Sequence, residues 1–405
     1  MIRVVITGAG TINPLGASVD ETFAAMREGR CAIGPLDIRD ADRLAAPLGA
    51  QVRNWRPESH FDPKSIGLLD RFSQFALFAA RQAVAQSGLA FGDEELACRA
   101  GVIMGTAGGG LTTTDDSYRD VYEAGKNRVH PFTVPRLMAN AATSHLSMEF
   151  GLMGPTFTVS TACASSNHAM GLAFQMVRSG AATVMLSGGS EAMLCFGGIK
   201  AWEGLRVMSP TGCRPFSAER NGMVQGEGAA VFVFEARDHA MARGATILAE
   251  VVGFGMSADA HNLVVPSQSG AERAMQAALR DAGLAPHEVG YINAHGTGTK
   301  INDKTESAAI QSVFGAAARG VLLSSTKAMH GHLIGGTGAV ELLACLMALC
   351  DGVIAPTIGY GTPDPDCPLD VVPNVAREAA VSAVLSNAFA FGGLNAVLAL
   401  RAARG

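Results

Sequence analysis

From Phe72 to Ala83 the apolar positions fall on one helical face (Phe72, Phe75, Ala76, Ala79, Ala80 and Ala83), and Ser87-Gly88 stops the pattern. The short apolar run Gly101 to Met104 follows and opens into the glycine-rich loop 105–110, which predicts a strand feeding a loop. The same succession returns later in the chain. Ala271, Ala274, Met275, Ala278, Leu279 and Ala282 form a second stripe, Gly283 stops it, and Val289 to Ala294 reads as a strand opening into His295-Gly-Thr-Gly-Thr299. Even the stop signals agree, SGLA at 87–90 and AGLA at 282–285.

A second echo supports the first. Val159-Ser-Thr161 leads into a turn at Cys163 and a helix whose buried face is Ala169, Leu172, Ala173, Met176 and Val177, ending near Arg178 and Gly180. Likewise Leu323-Ser-Ser-Thr326 leads into Lys327 and, past another glycine-rich loop, an apolar helix around Val340, Leu343, Ala344 and Met347. Two echoes in the same order predict a duplicated α/β unit. The division falls near residue 250, after the strand-like Ala229 to Phe234 and the segment Ala236 to Ala249, giving units 1–249 and 250–405. No Pro/Ser-rich linker separates them, so the halves are expected to pack on each other.

At the N-terminus, Ile2 to Ile6 reads as a buried strand followed by GAGTIN. A dinucleotide loop would need a third glycine at position 13, which is Asn13. Composition narrows the function classes further. Hydrophobic residues make up 48% and charged ones 17% of the 405 residues, so the chain reads as globular. A net charge of −5 with no basic tract argues against a general nucleic-acid binder. The eight cysteines, at 31, 98, 163, 195, 213, 345, 350 and 367, form no CxxC pair, which fits free thiols in a reducing compartment. The start of the chain lacks the layout of a signal peptide, and the longest apolar stretch, Ala339 to Cys350, is too short to span a bilayer. A cytoplasmic protein is the expectation.

Three loops, each after a predicted strand, combine glycines or small residues with a reactive group: TACAS at 161–165, NAHGTGT at 293–299 and STKAMHGH at 325–332. Functional groups of α/β folds gather at the carboxyl ends of strands, so Cys163, His295, Lys327 and His332 form a candidate nucleophilic centre. A cysteine at a helix start faces the positive end of the helix dipole, which favours thiolate. The competing reading is a small buried core cysteine, and His295 by itself fits a satisfied core histidine. His330 and His332 form an H-x-H pair, weak evidence for zinc without a third ligand nearby. Asp303 and Glu306 read as a capping pair for the helix that buries Ala309, Ile310 and Val313.

These loops, with NAFAFGG at 387–393, resemble the signature of β-ketoacyl-acyl-carrier-protein synthases of the II type across essentially the whole chain. Within that family the segments 213–229 and 243–262 are most similar to nodulation-type E synthases. The resemblance implies a thiolase fold, two αβαβα halves in a five-layer sandwich, usually a homodimer. It implies an acyltransferase that condenses malonyl-carrier protein with an acyl chain held on Cys163, in fatty-acid or specialised acyl or polyketide synthesis. His295 and His332 then support decarboxylation, Lys327 orients the site electrostatically, and the backbone N–H groups of Cys163 and Phe391 form an oxyanion hole. Thr297 and Thr299 match contacts to the phosphopantetheine arm, which arrives on the acyl carrier protein, so no resident cofactor or metal is expected. Phe389 and Phe391 match gating aromatics. Gly108 stands where relatives often carry a bulky aliphatic residue at the bottom of the acyl pocket, implying a longer or wider pocket. Leu394 stands where threonine is usual. The basic rim for a carrier is thin around Lys64, with Gly67 and Leu68 nearby, and Lys126, Arg128 and Arg206 are candidate substitutes that hint at a dedicated carrier. Two alternatives compete: a non-catalytic chain-length-factor subunit, which lacks the nucleophile, and a degradative thiolase, which uses a second cysteine.

Overall fold

The computed structural model describes residues 1–403. Among them, ten strands form the main sheet: β1 (Val4–Ile12), β2 (Ala100–Gly105), β3 (Thr156–Val159), β4 (Val184–Glu191), β5 (Gly228–Ala236), β6 (Ala249–Ala258), β7 (Tyr291–Asn293), β8 (Leu322–Ser324), β9 (Ala383–Ala390) and β10 (Leu394–Ala402). Their spatial order is β3-β2-β4-β5-β1-β6-β10-β9-β7-β8. This order is a palindrome. On each side of the β1–β6 junction two antiparallel pairings are followed by two parallel ones, so β1 corresponds to β6, β5 to β10, β4 to β9, β2 to β7 and β3 to β8. The halves meet in antiparallel register at Val4↔Val251, Val5↔Glu250 and Ile6↔Ala249. The duplication read from the two echoes is therefore present in the topology.

Helices fill the corresponding places. α1 (Arg71–Ser87) covers the outer face of the first half, and α3 (Gln268–Ala282) with α4 (Lys300–Phe314) covers that of the second. α2 (Ser165–Ser179) and α5 (Thr337–Asp351) lie between the two sheet halves in the largest apolar cluster. The layers thus run helix, sheet, helix, sheet, helix. The helical run Ile334–Asp351 has 18 residues and the composition of a membrane span, yet 83% of it is buried inside the protein as the central core helix.

One boundary differs from the sequence reading. β1 does not stop at Ile6 but runs on through the glycines to Ile12, with a register shift between Ile6 and Gly8. The glycines serve helix packing. A Cβ on Gly8 would lie 2.1 Å from the Ala83 carbonyl oxygen and one on Gly10 2.0 Å from that of Ala79, so only glycine lets α1 sit directly on the strand. α1 starts at Asp70, whose side chain accepts the Phe72 N–H, and ends at Gly88 in the left-handed region.

Candidate active site

Cys163 occupies a sharp turn between β3 and α2. Ala162 before it has φ 49°, a left-handed conformation that costs about 1 kcal/mol or more and persists only where surrounding contacts hold it. Ser165 supplies those contacts: its Oγ accepts the Thr161 N–H at 2.9 Å and donates to the Ala162 carbonyl at 2.7 Å. The sulfur is buried. Here the structure corrects the expectation of a depressed thiol pKa. Burial pushes the Cys163 thiol up to about 11, although Lys327 and the N–H groups of Phe391 and Cys163 itself pull the other way.

His295 and His332 come from loops of the other half, and one ring nitrogen of each lies with Cys163 Sγ so that all three atoms fall within 4.8 Å of one another. The rings meet edge to face, 5.5 Å between centroids. His332 Nδ1 accepts the Ile334 N–H at 3.1 Å and lies 2.7 Å from Thr337 Oγ1. An accepting Nδ1 leaves the proton on Nε2, which is buried without a hydrogen-bond partner among the described residues. Burial, with Lys327 nearby, holds both imidazoles well below their usual pKa, so they are neutral. The trio could hold a metal by distance alone. Its tautomer argues otherwise, because a ligating His332 would need a bare Nε2 and a donating Nδ1. His330, the first of the H-x-H pair, bonds instead to Thr326 Oγ1 and the Gly331 carbonyl.

Lys327 is fully buried and donates to Glu341 Oε1 at 2.5 Å and to the His295 carbonyl. Burial pushes the Glu341 carboxyl up to about 7 despite that partner. The capping assignment of Asp303 and Glu306 is also corrected. α4 begins at Lys300 with Thr299 as its N-cap, so both acids sit inside the helix. Glu306 accepts the N–H groups of His295 (2.9 Å) and Gly296 (2.8 Å), and Asp303 those of Phe216 (2.8 Å) and Gly298 (3.2 Å). They hold the histidine loop rather than cap a helix end. Glu191 does the same elsewhere, accepting from Thr106, Ala107, Gly108 and Gly335. Glu341, Glu191 and Thr337 were not singled out in the sequence. For Glu341 a signal existed: it is the lone charge in the run Ala339 to Cys350.

Three of the four reactive groups, Cys163, His295 and His332, meet at a pocket of about 490 Å³, with Thr297, Thr299, Phe389 and Phe391 on its walls, and Lys327 lies buried behind them against the His295 carbonyl. A larger groove of about 630 Å³ near Asn13 and Arg53 contains none of them. Thr297 and Thr299 hydroxyls lie 2.9 Å apart. Phe389 stands edge-on to His295, and Phe391 stacks on Trp202 at 5.8 Å. Arg206 and Lys300 are the charged residues of the lining among the described residues. Lys126 is paired with Asp120, and Gly108 lies outside the pocket, pressed against Met193.

Residues 1–240 match the β-ketoacyl synthase N-terminal domain, and residues 248–361 match the C-terminal domain. The chain belongs to the β-ketoacyl synthase family. It is 50% identical over 399 residues to nodulation protein E of Rhizobium sp. (strain N33), covering 98% of this chain and 99% of the relative. To 3-oxoacyl-[acyl-carrier-protein] synthase 2 of Staphylococcus aureus (strain MRSA252) it is 40% identical over 407 residues, covering 99% and 98%. Among solved structures, the ishigamide ketosynthase/chain length factor superposes with a TM-score of 0.94 at 37% identity over 100% of both chains. The synthase has the thiolase fold, and it is an acyl-transferring condensing enzyme.

Proposed function

We propose that this synthase loads an acyl chain from a carrier protein onto Cys163 and extends it by two carbons with malonyl-carrier protein, using Cys163, His295, His332 and Lys327. The observation that carries the reading is the convergence of a buried thiol and two neutral imidazoles, one with an unpartnered Nε2–H, at the floor of one pocket. In the first half-reaction Sγ attacks the acyl thioester carbonyl. The new C–S bond forms, the bond to the carrier sulfur breaks, and the cysteine proton leaves on the carrier thiol. The N–H groups of Cys163 and Phe391, both directed at this sulfur, stabilise the oxyanion. In the second, the malonyl C–C bond breaks, CO₂ departs, and its electron pair becomes an enolate whose oxygen accepts from His295 and His332. The enolate carbon attacks the Cys163 thioester carbonyl, the cysteine leaves as thiolate, and it takes up one proton from solvent.

Thr297 and Thr299 line the way in for the carrier's phosphopantetheine arm, and no resident cofactor is needed. The partner is an acyl carrier protein meeting Arg206, Lys300 and the exposed Leu205, Leu263 and Ile301. Such a rim, short of charge, suits a dedicated carrier in the cytoplasm, and it predicts weak dependence of turnover on salt. The chain is proposed to act as a homodimer. The presence of Cys163 weighs against a non-catalytic chain-length-factor role.

Separate half-reactions test the mechanism. With defined acyl- and malonyl-carriers, Cys163→Ala should abolish condensation yet still release CO₂ from malonyl-carrier. His295→Ala and His332→Ala should each lose decarboxylation by about 10² or more while still accepting acyl groups on Cys163. Undiminished condensation by Cys163→Ala would sink the central claim.

A further inference from the structure

The two N–H groups directed at Cys163 Sγ come from different halves of the chain. That of Cys163 belongs to the first half, and that of Phe391 to the second, on the turn between β9 and β10. The hydrogen bonds of that turn stay within the second half. Gly392 donates to the Leu263 carbonyl at 2.7 Å, Gly393 donates to that of Ala390 at 3.0 Å, and the Gly393 carbonyl accepts the Asp259 N–H at 2.8 Å. Gly392 and Gly393 both have positive φ, 85° and 67°, a conformation that glycine adopts freely. These bonds fix the shape of the turn and not its distance from the sulfur.

A side-chain contact crosses between the halves. The Phe391 ring stacks on Trp202, with 5.8 Å between centroids and 23° between planes, the geometry of an offset aromatic pair. Trp202 lies on the helix Phe196–Gly204 of the first half, lines the same pocket, and packs against the apolar cluster that contains Cys163. Its helix is anchored. Glu203 accepts the N–H groups of Ala45 and Ala46 at 2.6 and 2.9 Å and the Lys200 ammonium at 2.8 Å, and the guanidinium groups of Arg43 and Arg119 lie over the Phe196 ring at 4.6 and 5.4 Å. Of the stacked pair, Trp202 is the fixed member and Phe391 rides on a hairpin turn.

We propose that Trp202 is a positioning residue for the oxyanion hole: its indole face sets the Phe391 ring, and through it the Phe391 N–H, against Cys163 Sγ. The inference rests on the synthase reading. It assigns Trp202 to the two steps in which an oxyanion forms beside Sγ, acyl loading and the condensing attack. Decarboxylation, whose enolate is held by His295 and His332, does not use that donor.

Trp202→Leu keeps an apolar side chain without an aromatic face, and Trp202→Phe keeps a face. Two half-reactions are read separately: acylation of Cys163 from an acyl-carrier protein by intact-protein mass, and CO₂ release from malonyl-carrier protein. Trp202→Leu should slow acylation about tenfold, the upper range of what one aromatic pair contributes, with CO₂ release within about twofold of wild type. Trp202→Phe should stay within about threefold in both. In a Phe391→Ala background, which has no ring to set, Trp202→Leu should cost no more than about twofold further in acylation. Equal acylation rates for Trp202→Leu and Trp202→Phe, or the same tenfold loss repeated in the Phe391→Ala background, would overturn the assignment and leave Trp202 as pocket wall. Parallel loss of both half-reactions in both variants, each with the circular dichroism of the wild type, would overturn it as well. Failure of wild-type Cys163 to load any acyl chain would instead remove the synthase reading.

Discussion

At Cys163 two effects act on one sulfur in opposite directions. The helix start, two N–H groups and Lys327 favour thiolate, and burial in an apolar cluster favours thiol; burial wins, and the thiol is pushed up to about 11. Only a small fraction is thiolate at neutral pH, so reactivity is supplied when substrate arrives and not stored in the resting enzyme. Alkylation of the free enzyme by iodoacetamide should then quicken about tenfold per pH unit from 7 to 10. A plateau near pH 7 would mean a depressed pKa. The Lys327–Glu341 pair gives a second residue-scale prediction. Lys327→Met strands a buried carboxylate and should cost about 3 kcal/mol in urea unfolding, whereas Lys327→Met with Glu341→Leu should regain most of it. Neither variant should decarboxylate normally, because the ammonium that adds to burial in holding down the pKa of His295 and His332, and that bonds the His295 carbonyl, is gone. Without it the histidine pKa values rise, so any residual decarboxylation should lose its acid limb at higher pH than in the wild type. Normal turnover by the double variant would reduce Lys327 to a structural role.

Among the elements, α4 shows how a helix can serve a loop. Glu306 lies inside it and accepts two N–H groups from the histidine loop, one per oxygen. Glu306→Gln turns one acceptor into a donor facing an N–H, and about 1 Å of drift in His295 is enough for roughly a hundredfold loss. Decarboxylation should fall by that order while acylation of Cys163, on the other half, stays within about twofold. Equal losses in both half-reactions would point to general unfolding. The same element shows where the sequence was legible and where it was not. Stripes such as Phe72 to Ala83, and the strand-to-loop openings at Cys163, His295 and Lys327, are local patterns, and the fold keeps them. Asp303 and Glu306 have capping-box spacing but no capping role, since their donors come from residues 216 and 295–298, which become neighbours only when loops and helix pack. Glu191 is hidden for the same reason, as its donors lie 83 to 144 positions away. The glycines of β1 invite comparison with a ligand loop, which Asn13 already excludes, and what they accommodate is the backbone of α1.

For the whole molecule, the palindromic sheet leaves β3 at one end with a free edge, short and partly exposed, in the half that carries the nucleophile. Next to it several large apolar side chains are exposed. Tyr118, Tyr122, Phe132, Val134 and Met138 are exposed on the helices Leu111–Tyr122 and Thr133–Leu137 and the residues flanking the second, which pack on each other, and the neighbouring helix Ala141–Phe150 contacts β3. An open strand edge beside exposed apolar side chains is a liability unless something covers it. A second copy can do so about a twofold axis, because two β3 edges pair antiparallel and each patch meets its equivalent. A stable contact of this kind takes about 800 Å² from each partner. A hollow of about 420 Å³ lined by Tyr118 and Tyr122 lies on the same side, so pairing would also cover it. Sedimentation velocity at micromolar concentration should give a species of twice 41.8 kDa. Val134→Glu with Phe132→Glu should shift it to the monomer. If the unaltered chain sediments as a monomer, the covering partner is a different protein, and adding a chain-length-factor-type subunit should then give the larger species.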